Sequence, residues 1–179
     1  MPIEVEIRSF ISEDGYYRLK SFFNKEAKFL SNNNQETYYL ESDLDLRLQK
    51  NDDYAKLWLK NGDMHDKNRE EKEIIFDKKY FDDMYQLFCL LKYKPKIKWL
   101  RNRIEYDWDG IKVCLDNTKG YGYIIELEQL TNNEDYCDII YENLKNKLES
   151  LNINISPRDD FDERYRDYEK NWKKYLETQ

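Results

Sequence analysis

The chain has 179 residues, with 30 Lys and Arg against 37 Asp and Glu and a net charge of −7. That length is about one domain's worth, and an aromatic content of 16% argues against disorder although 37% of the residues are charged. The acidic balance counts against a nucleic-acid binder, no apolar run approaches the ~20 residues a bilayer-spanning helix needs, and MPIEVEIRSF, acidic from its fourth residue, is not expected to act as a signal peptide.

In chain order, Ile3, Val5 and Ile7 alternate with Glu4, Glu6 and Arg8, which predicts a strand with one apolar and one charged face. Ser12 is a suitable N-cap for a helix through about Lys25, with Tyr16, Leu19 and Phe23 on one stripe. Short extended runs follow: AKFLS, ETYYLE, LDLRLQ and YAKLWLK, then a loop around Asn61-Gly62 and a further run, REEKEIIF. Asp77 can cap a second helix on which Tyr80, Met84, Leu87, Phe88 and Leu91 recur at helical spacing. Pro95 opens KIKWLRNRIEY, a turn at Asp109-Gly110 leads to GIKVCLD, and Gly120-Tyr121-Gly122 reads as a hairpin turn before GYIIELEQL. A third helix is predicted from about Glu134 to Leu151, on Tyr136, Ile140, Leu144 and Leu148. A charged fourth helix follows from about Phe161 to Leu176, with Tyr165, Tyr168, Trp172 and Tyr175 on one stripe. The expectation is a single α+β domain over residues 1–179, of about eight mostly antiparallel strands, because most links are too short for crossover helices.

Cysteine and histidine usage narrows the chemistry. Cys89, Cys114 and Cys137 form no CxxC pair and read as buried free thiols of a cytoplasmic protein; His65, the only histidine, lies in a polar stretch and reads as a solvated loop residue. A metal here must therefore be held by carboxylates, which selects a hard cation such as Mg²⁺ or Mn²⁺.

The second face of the strands is unusual. Glu4/Glu6 and Glu126/Glu128 put paired carboxylates two residues apart on one strand face, roughly 6–7 Å along the chain, an arrangement that costs repulsion unless a cation relieves it. Neighbouring strands supply Arg8, Arg47, Lys60, Arg101 and Arg103. Carboxylates for a metal beside Arg and Lys for an anion are what a metal–polyphosphate complex requires.

On these residues the chain resembles the CYTH proteins, the triphosphate tunnel metalloenzymes, which include class IV adenylyl cyclases and thiamine and inorganic triphosphatases. Glu4-Val5-Glu6-Ile7-Arg8 looks like their N-terminal ExExK, Leu46-Arg47-Leu48 like their second-strand arginine motif, and Leu57-Trp58-Leu59-Lys60 like the strand ending in lysine. Arg69-Glu70-Glu71-Lys72-Glu73 is similar to RxExE, and Trp99-Leu100-Arg101-Asn102-Arg103 to the basic strand. Val113-Cys114-Leu115-Asp116, Gly120-Tyr121-Gly122 and Glu126-Leu127-Glu128 are similar to the LD…GxG…ExE ending. The resemblance implies a closed eight-stranded antiparallel β-barrel, the triphosphate tunnel, with tunnel motifs over residues 3–130 and helices, including those of 134–177, packed outside. It implies that Glu4, Glu6, Glu126 and Glu128 hold Mg²⁺ or Mn²⁺ with Asp116 and Glu71 or Glu73 assisting. Arg8, Arg47, Lys60, Arg101 and Arg103, with Lys98 and Arg69, would grip the triphosphate, and Lys60 and Arg8 would be the catalytic pair.

Two departures matter: Arg8 stands where the pattern has Lys, and Gln49 where a second basic residue of the Arg47 strand often sits. An arginine is a better bidentate phosphate ligand but cannot act as a base. The expected activity is hydrolysis of inorganic triphosphate or a nucleoside triphosphate. The alternatives are cyclisation of ATP to cyclic AMP with release of pyrophosphate, and a non-catalytic polyphosphate-binding module. The partner implied is a small-molecule triphosphate, with no membrane or nucleic acid, and a homodimer is left open. The fourth helix is expected to pack on the outside, with a lid or base-stacking surface as the alternative.

Overall fold

The computed structural model describes residues 3–61 and 70–177. The elements are β1 (Ile3–Ile11), α1 (Glu13–Glu26), β2 (Lys28–Leu40), β3 (Asp45–Lys50), β4 (Ala55–Asn61), β5 (Glu70–Phe76), α2 (Phe81–Leu90), β6 (Pro95–Trp108), β7 (Ile111–Thr118), β8 (Gly122–Thr131), α3 (Cys137–Ser150) and α4 (Arg158–Glu177). The strands form one eight-stranded antiparallel sheet in the order β1-β8-β7-β6-β2-β3-β4-β5. Closing such a sheet into a barrel needs its first and last strands to pair. Among the described residues no hydrogen-bond ladder joins β1 to β5, so the sheet is not closed by hydrogen bonds.

The chain divides into two compact units, residues 1–32 with 102–167 and residues 33–101 with 168–179. In the first unit the apolar face of the sheet is covered by α1 and α3. Ser12 caps α1 by accepting from the Gly15 N–H at 3.1 Å, and the stripe of Tyr16, Leu19 and Phe23 is buried as its spacing predicts. These side chains pack with Ile7, Val113, Leu115, Ile125 and Leu127 of the strands and with Leu144 and Leu148 of α3. The β6–β7 turn is made by Asp109 and Gly110, both at positive φ (55° and 80°), the backbone a two-residue hairpin with the native strand twist requires. Burial of Leu19, Leu127, Leu144 and Leu148 is complete. Truncating any one of them to Ala costs about 2–5 kcal/mol.

In the second unit Leu48, Ala55 and Phe81 form a smaller core, with Tyr38, Leu57, Phe76, Met84 and Tyr85 packed against it. Two expectations are corrected here. AKFLS and ETYYLE belong to one continuous strand, β2, because the intervening asparagines stay extended; the Asn34 N–H, for example, donates to the Asp52 carboxylate at 2.9 Å. On α2 Phe81 is buried and Met84, Tyr85 and Phe88 are half-buried, whereas Tyr80, Leu87 and Leu91 are exposed. Tyr80 leaves the stripe because Asp77 caps a single 3-10 turn (Lys78–Tyr80) that precedes the α-helix, which begins only at Phe81.

α4 differs from the other helices. The buried Phe161 in its first turns stacks on Phe10 of β1, which shares a strand face with Glu4, Glu6 and Arg8. In the second unit its Tyr168 meets Trp99 edge-on at 4.8 Å and donates to the Lys98 carbonyl at 3.0 Å. Of the predicted aromatic stripe, Tyr168 is a buried packing residue, and in the first unit it is Phe161, outside that stripe, that packs toward the charged face of β1.

Candidate functional site

Strand register assembles the acidic group of the first unit. Glu6 pairs with Glu128 and Arg8 with Glu126 across β1–β8, while Lys112 pairs with Glu128 and Cys114 with Glu126 across β7–β8. Because directly opposed residues share a face, these side chains converge with Asp116 on the face opposite the α1–α3 core. One carboxylate oxygen each from Glu4, Glu6 and Glu128 lies within 4.8 Å of the others. The thiol of Cys114 and oxygens of Glu126 and Glu128 meet the same limit.

Like charges at that spacing oppose ionisation. The Glu6 carboxyl is pushed up to about 7 by loss of water around it and then by the charge of Glu126, against the opposing pull of Arg8. Loss of water also raises Glu128, in spite of Lys112, with Glu126 adding to the rise. Cations offset part of the excess. Lys112 bridges Glu105 and Glu128, each at 3.1 Å. Arg103 donates through Nε and Nη2, one edge of its guanidinium, to Asp116 at 2.7 and 2.6 Å and also bonds Glu126. Burial opposes the charge on Arg103, but Glu126 and Asp116 more than compensate and hold its pKa well above the ordinary value.

These donors suit a divalent cation. Glu4, Glu6 and Glu128 would offer oxygen ligands alone, the donor set of a hard ion such as Mg²⁺ or Mn²⁺. Asp116 is different: both of its oxygens are taken by Arg103.

The second unit carries its own charged face. Arg47 is held in a fork by Asp45 at 2.7 and 2.6 Å and lies over the rings of Tyr39 and Trp58. Lys56 pairs with Glu73 at 2.6 Å, also over Trp58. Arg101 donates twice to the Gln35 side-chain oxygen, at 2.9 and 2.6 Å. Gln49 is buried and donates to Thr37 at 2.8 Å, a neutral pair where a second basic residue was expected. Lys98 is not part of this group. It bonds Glu36 at 2.7 Å beside Tyr38, on the side that α2 covers. Arg69 lies outside the described residues, and Lys60 and Glu71 are placed by backbone register alone, Lys60 opposite both Asp45 and Glu71.

The structure therefore gathers Glu4, Glu6, Glu126, Glu128, Arg8, Arg103 and Asp116 in one unit. It adds Lys112, Cys114 and Glu105, which sequence reasoning did not assign to a site. Their signal was present in the alternation, since Lys112 and Cys114 have the same parity as Asp116. In the other unit Glu73 is drawn to Lys56.

An eight-stranded antiparallel α+β domain whose strands gather carboxylates and guanidinium groups on one face is the class these observations define. The chain belongs to the CYTH family, whose CYTH domain pattern matches residues 2–158. No curated protein matches the chain. Among solved structures it is similar to the PH1819 protein of Pyrococcus horikoshii, at 22% identity over 87% of this chain and 93% of that one, with a TM-score of 0.68. A candidate adenylate cyclase from Vibrio parahaemolyticus shows 14% identity, 87% and 94% coverage and a TM-score of 0.67. A Hippeastrum protein described as a candidate adenylyl cyclase with a dominant triphosphatase activity shows 18% identity, 86% and 89% coverage and a TM-score of 0.61. Within this chain no helix among the described residues is long and apolar enough to cross a membrane.

Proposed function

We propose that this protein is a divalent-metal-dependent enzyme that binds a triphosphate on the charged face of its sheet and hydrolyses a phosphoanhydride of inorganic triphosphate or a nucleoside triphosphate. The observation that carries the reading is the convergence of Glu4, Glu6 and Glu128 within 4.8 Å, two residues along β1 from Arg8. Among the described residues no carboxylate forms an ion pair with Arg8, whereas Arg103 is paired with Asp116 and Glu126. The carboxylates accept a cation and Arg8 is left to donate to an anion beside it.

Glu4, Glu6 and Glu128 would hold Mg²⁺ or Mn²⁺, with Glu126 adjacent. Such an ion supplies charge neutralisation of phosphoryl oxygens and lowers the pKa of a water it binds. Arg8 donates to phosphate oxygens and stabilises the charge that develops on them. It does not abstract a proton, because its pKa stays above ~12. Asp116 fixes the plane of Arg103, and Lys112 restrains Glu128. In the second unit the same reading makes Arg47, Lys60 and Arg101 phosphate donors, with Lys60 the candidate proton carrier. The closed tunnel implied by the family resemblance belongs to this proposal, and so does the triphosphatase activity described for the Hippeastrum neighbour.

Product analysis tests it. The protein is incubated with inorganic triphosphate and, separately, with ATP, in Mg²⁺ and in Mn²⁺. Orthophosphate is the expected product. Cyclic AMP with pyrophosphate from ATP selects the cyclase instead, and tight ligand binding without either product selects a binding module.

A further inference from the structure

Four side chains of the first unit lie against one another in a row. The Arg8 guanidinium lies 4.4 Å over the ring of Phe161, Phe161 stacks on Phe10 with centroids 4.3 Å apart and planes at 25°, and the Arg164 guanidinium lies 4.4 Å over Phe10. The far end is anchored to the backbone: Arg164 donates to the Tyr121 carbonyl at 3.2 Å. Gly122 is needed there, since a Cβ at that position would stand 3.3 Å from the Arg164 guanidinium and its φ of +119° disfavours a side chain. Phe161 itself is 5% exposed, so its ring is fixed by its surroundings.

A stacked guanidinium spends its face and keeps its edge. The five N–H donors of arginine lie in the plane, so a ring against one face restricts rotation without consuming a donor. Arg103 shows the contrast, because its Nε and Nη2 donors are already given to Asp116 and Glu126. A lysine at position 8 could not use Phe161 in this way, having a point charge and no plane to align. Arginine at position 8 and phenylalanine at 161 therefore read as a matched pair.

We infer that Phe161 is a positioning residue that aligns the Arg8 guanidinium for bidentate donation to a phosphate group, so that the first turns of α4 help set the affinity for triphosphate. This rests on the reading that Arg8 contacts phosphate. The test is equilibrium binding of inorganic triphosphate in chelator, where no divalent metal supports turnover, to full-length variants, each checked for cooperative unfolding. Phe161→Leu removes the ring and is expected to weaken binding about 3- to 30-fold, the range of a cation–π contact expressed as affinity. Phe161→Tyr keeps the ring and is expected to bind like wild type. In an Arg8→Ala background, Phe161→Leu is expected to cause no further loss. Equal losses in the two backgrounds, or a loss in Phe161→Tyr as large as in Phe161→Leu, would make Phe161 a packing residue and overturn the inference. Should Phe161→Leu fail to fold, Phe161→Met takes its place, with the same outcomes. Arg8→Ala separates the two layers. If it leaves binding unchanged, the reading of Arg8 as a phosphate ligand falls and takes the inference with it. If Arg8→Ala weakens binding and Phe161→Leu does not, the inference alone falls.

Discussion

Replacing Glu6 by Gln probes the acidic group at its most strained member. Burial and the charge of Glu126 push the Glu6 carboxyl up to about 7, so a cation that binds there competes with a proton. Glutamine keeps the size and one acceptor oxygen but offers no negative charge to draw a cation from its hydration shell. A loss of about 3 kcal/mol of charge stabilisation corresponds to a fall in turnover on the order of 10², together with a raised metal requirement. Metal-free stability should move the other way. Glu6 suffers from Glu126 and Glu128, and removing its charge relieves that repulsion, so the apo midpoint should stay level or rise. Glu128→Gln should show the same loss of turnover, while Glu149→Gln, exposed on α3, should change neither property. The assay is orthophosphate release against Mg²⁺ concentration, paired with thermal unfolding in chelator. If all three variants keep wild-type turnover and midpoint, the charged face is merely the wet face of a sheet, and the reasoning fails.

Three further outcomes are expected. Because the folded-state pKa of Glu6 is raised, the native protein retains a proton that the unfolded chain releases; the Glu6 contribution to metal-free stability is therefore fully present below about pH 4.5, is lost as pH rises through about 7 and stays lost above it, so in a pH series of melts the midpoint of Glu6→Gln should rise relative to wild type across that range. Triphosphate should raise the thermal midpoint more than pyrophosphate, and pyrophosphate more than orthophosphate, with about 2.7 kcal/mol of stabilisation at one hundred times the dissociation constant; equal responses to all three anions would indicate nonspecific binding. Asp116→Ala should cost about 3 kcal/mol in a urea titration, the lower end for breaking a buried ion pair, because Glu126 still faces Arg103; a change within half a kcal/mol would contradict the pairing.

The parts of the fold that follow period-2 arithmetic were legible from the chain. Ile3, Val5 and Ile7 against Glu4, Glu6 and Arg8 fix which residues of β1 face the helices, and the Asp109-Gly110 dipeptide fixes a hairpin, because few residues tolerate its backbone. Lys98 was legible too, with stricter counting. It stands an odd number of residues from Arg101 and Arg103, so unbroken alternation puts it on the opposite face, where it meets Glu36. The partners of the charges were not legible. That Arg103 would give its donors to Asp116 and Glu126, while Arg8, opposite Glu126 in register, would lie on Phe161 instead, depends on pairings between distant segments. Charge patterning alone treats every arginine on the face as equivalent. The start of α2 was lost for a local reason: a 3-10 turn follows Asp77 and the α-helix begins only at Phe81, which reaches the core in place of Tyr80.

Titration of Mn²⁺ followed by electron paramagnetic resonance, with no phosphate compound added, addresses the cation directly, since the free ion gives a signal that binding to the protein removes. With wild-type protein and with Glu149→Gln the free-ion signal should be depleted in proportion to protein. With Glu6→Gln it should persist to clearly higher metal concentrations. Indistinguishable titrations for Glu6→Gln and Glu149→Gln would contradict the assignment of Glu4, Glu6 and Glu128 as the cation's ligands.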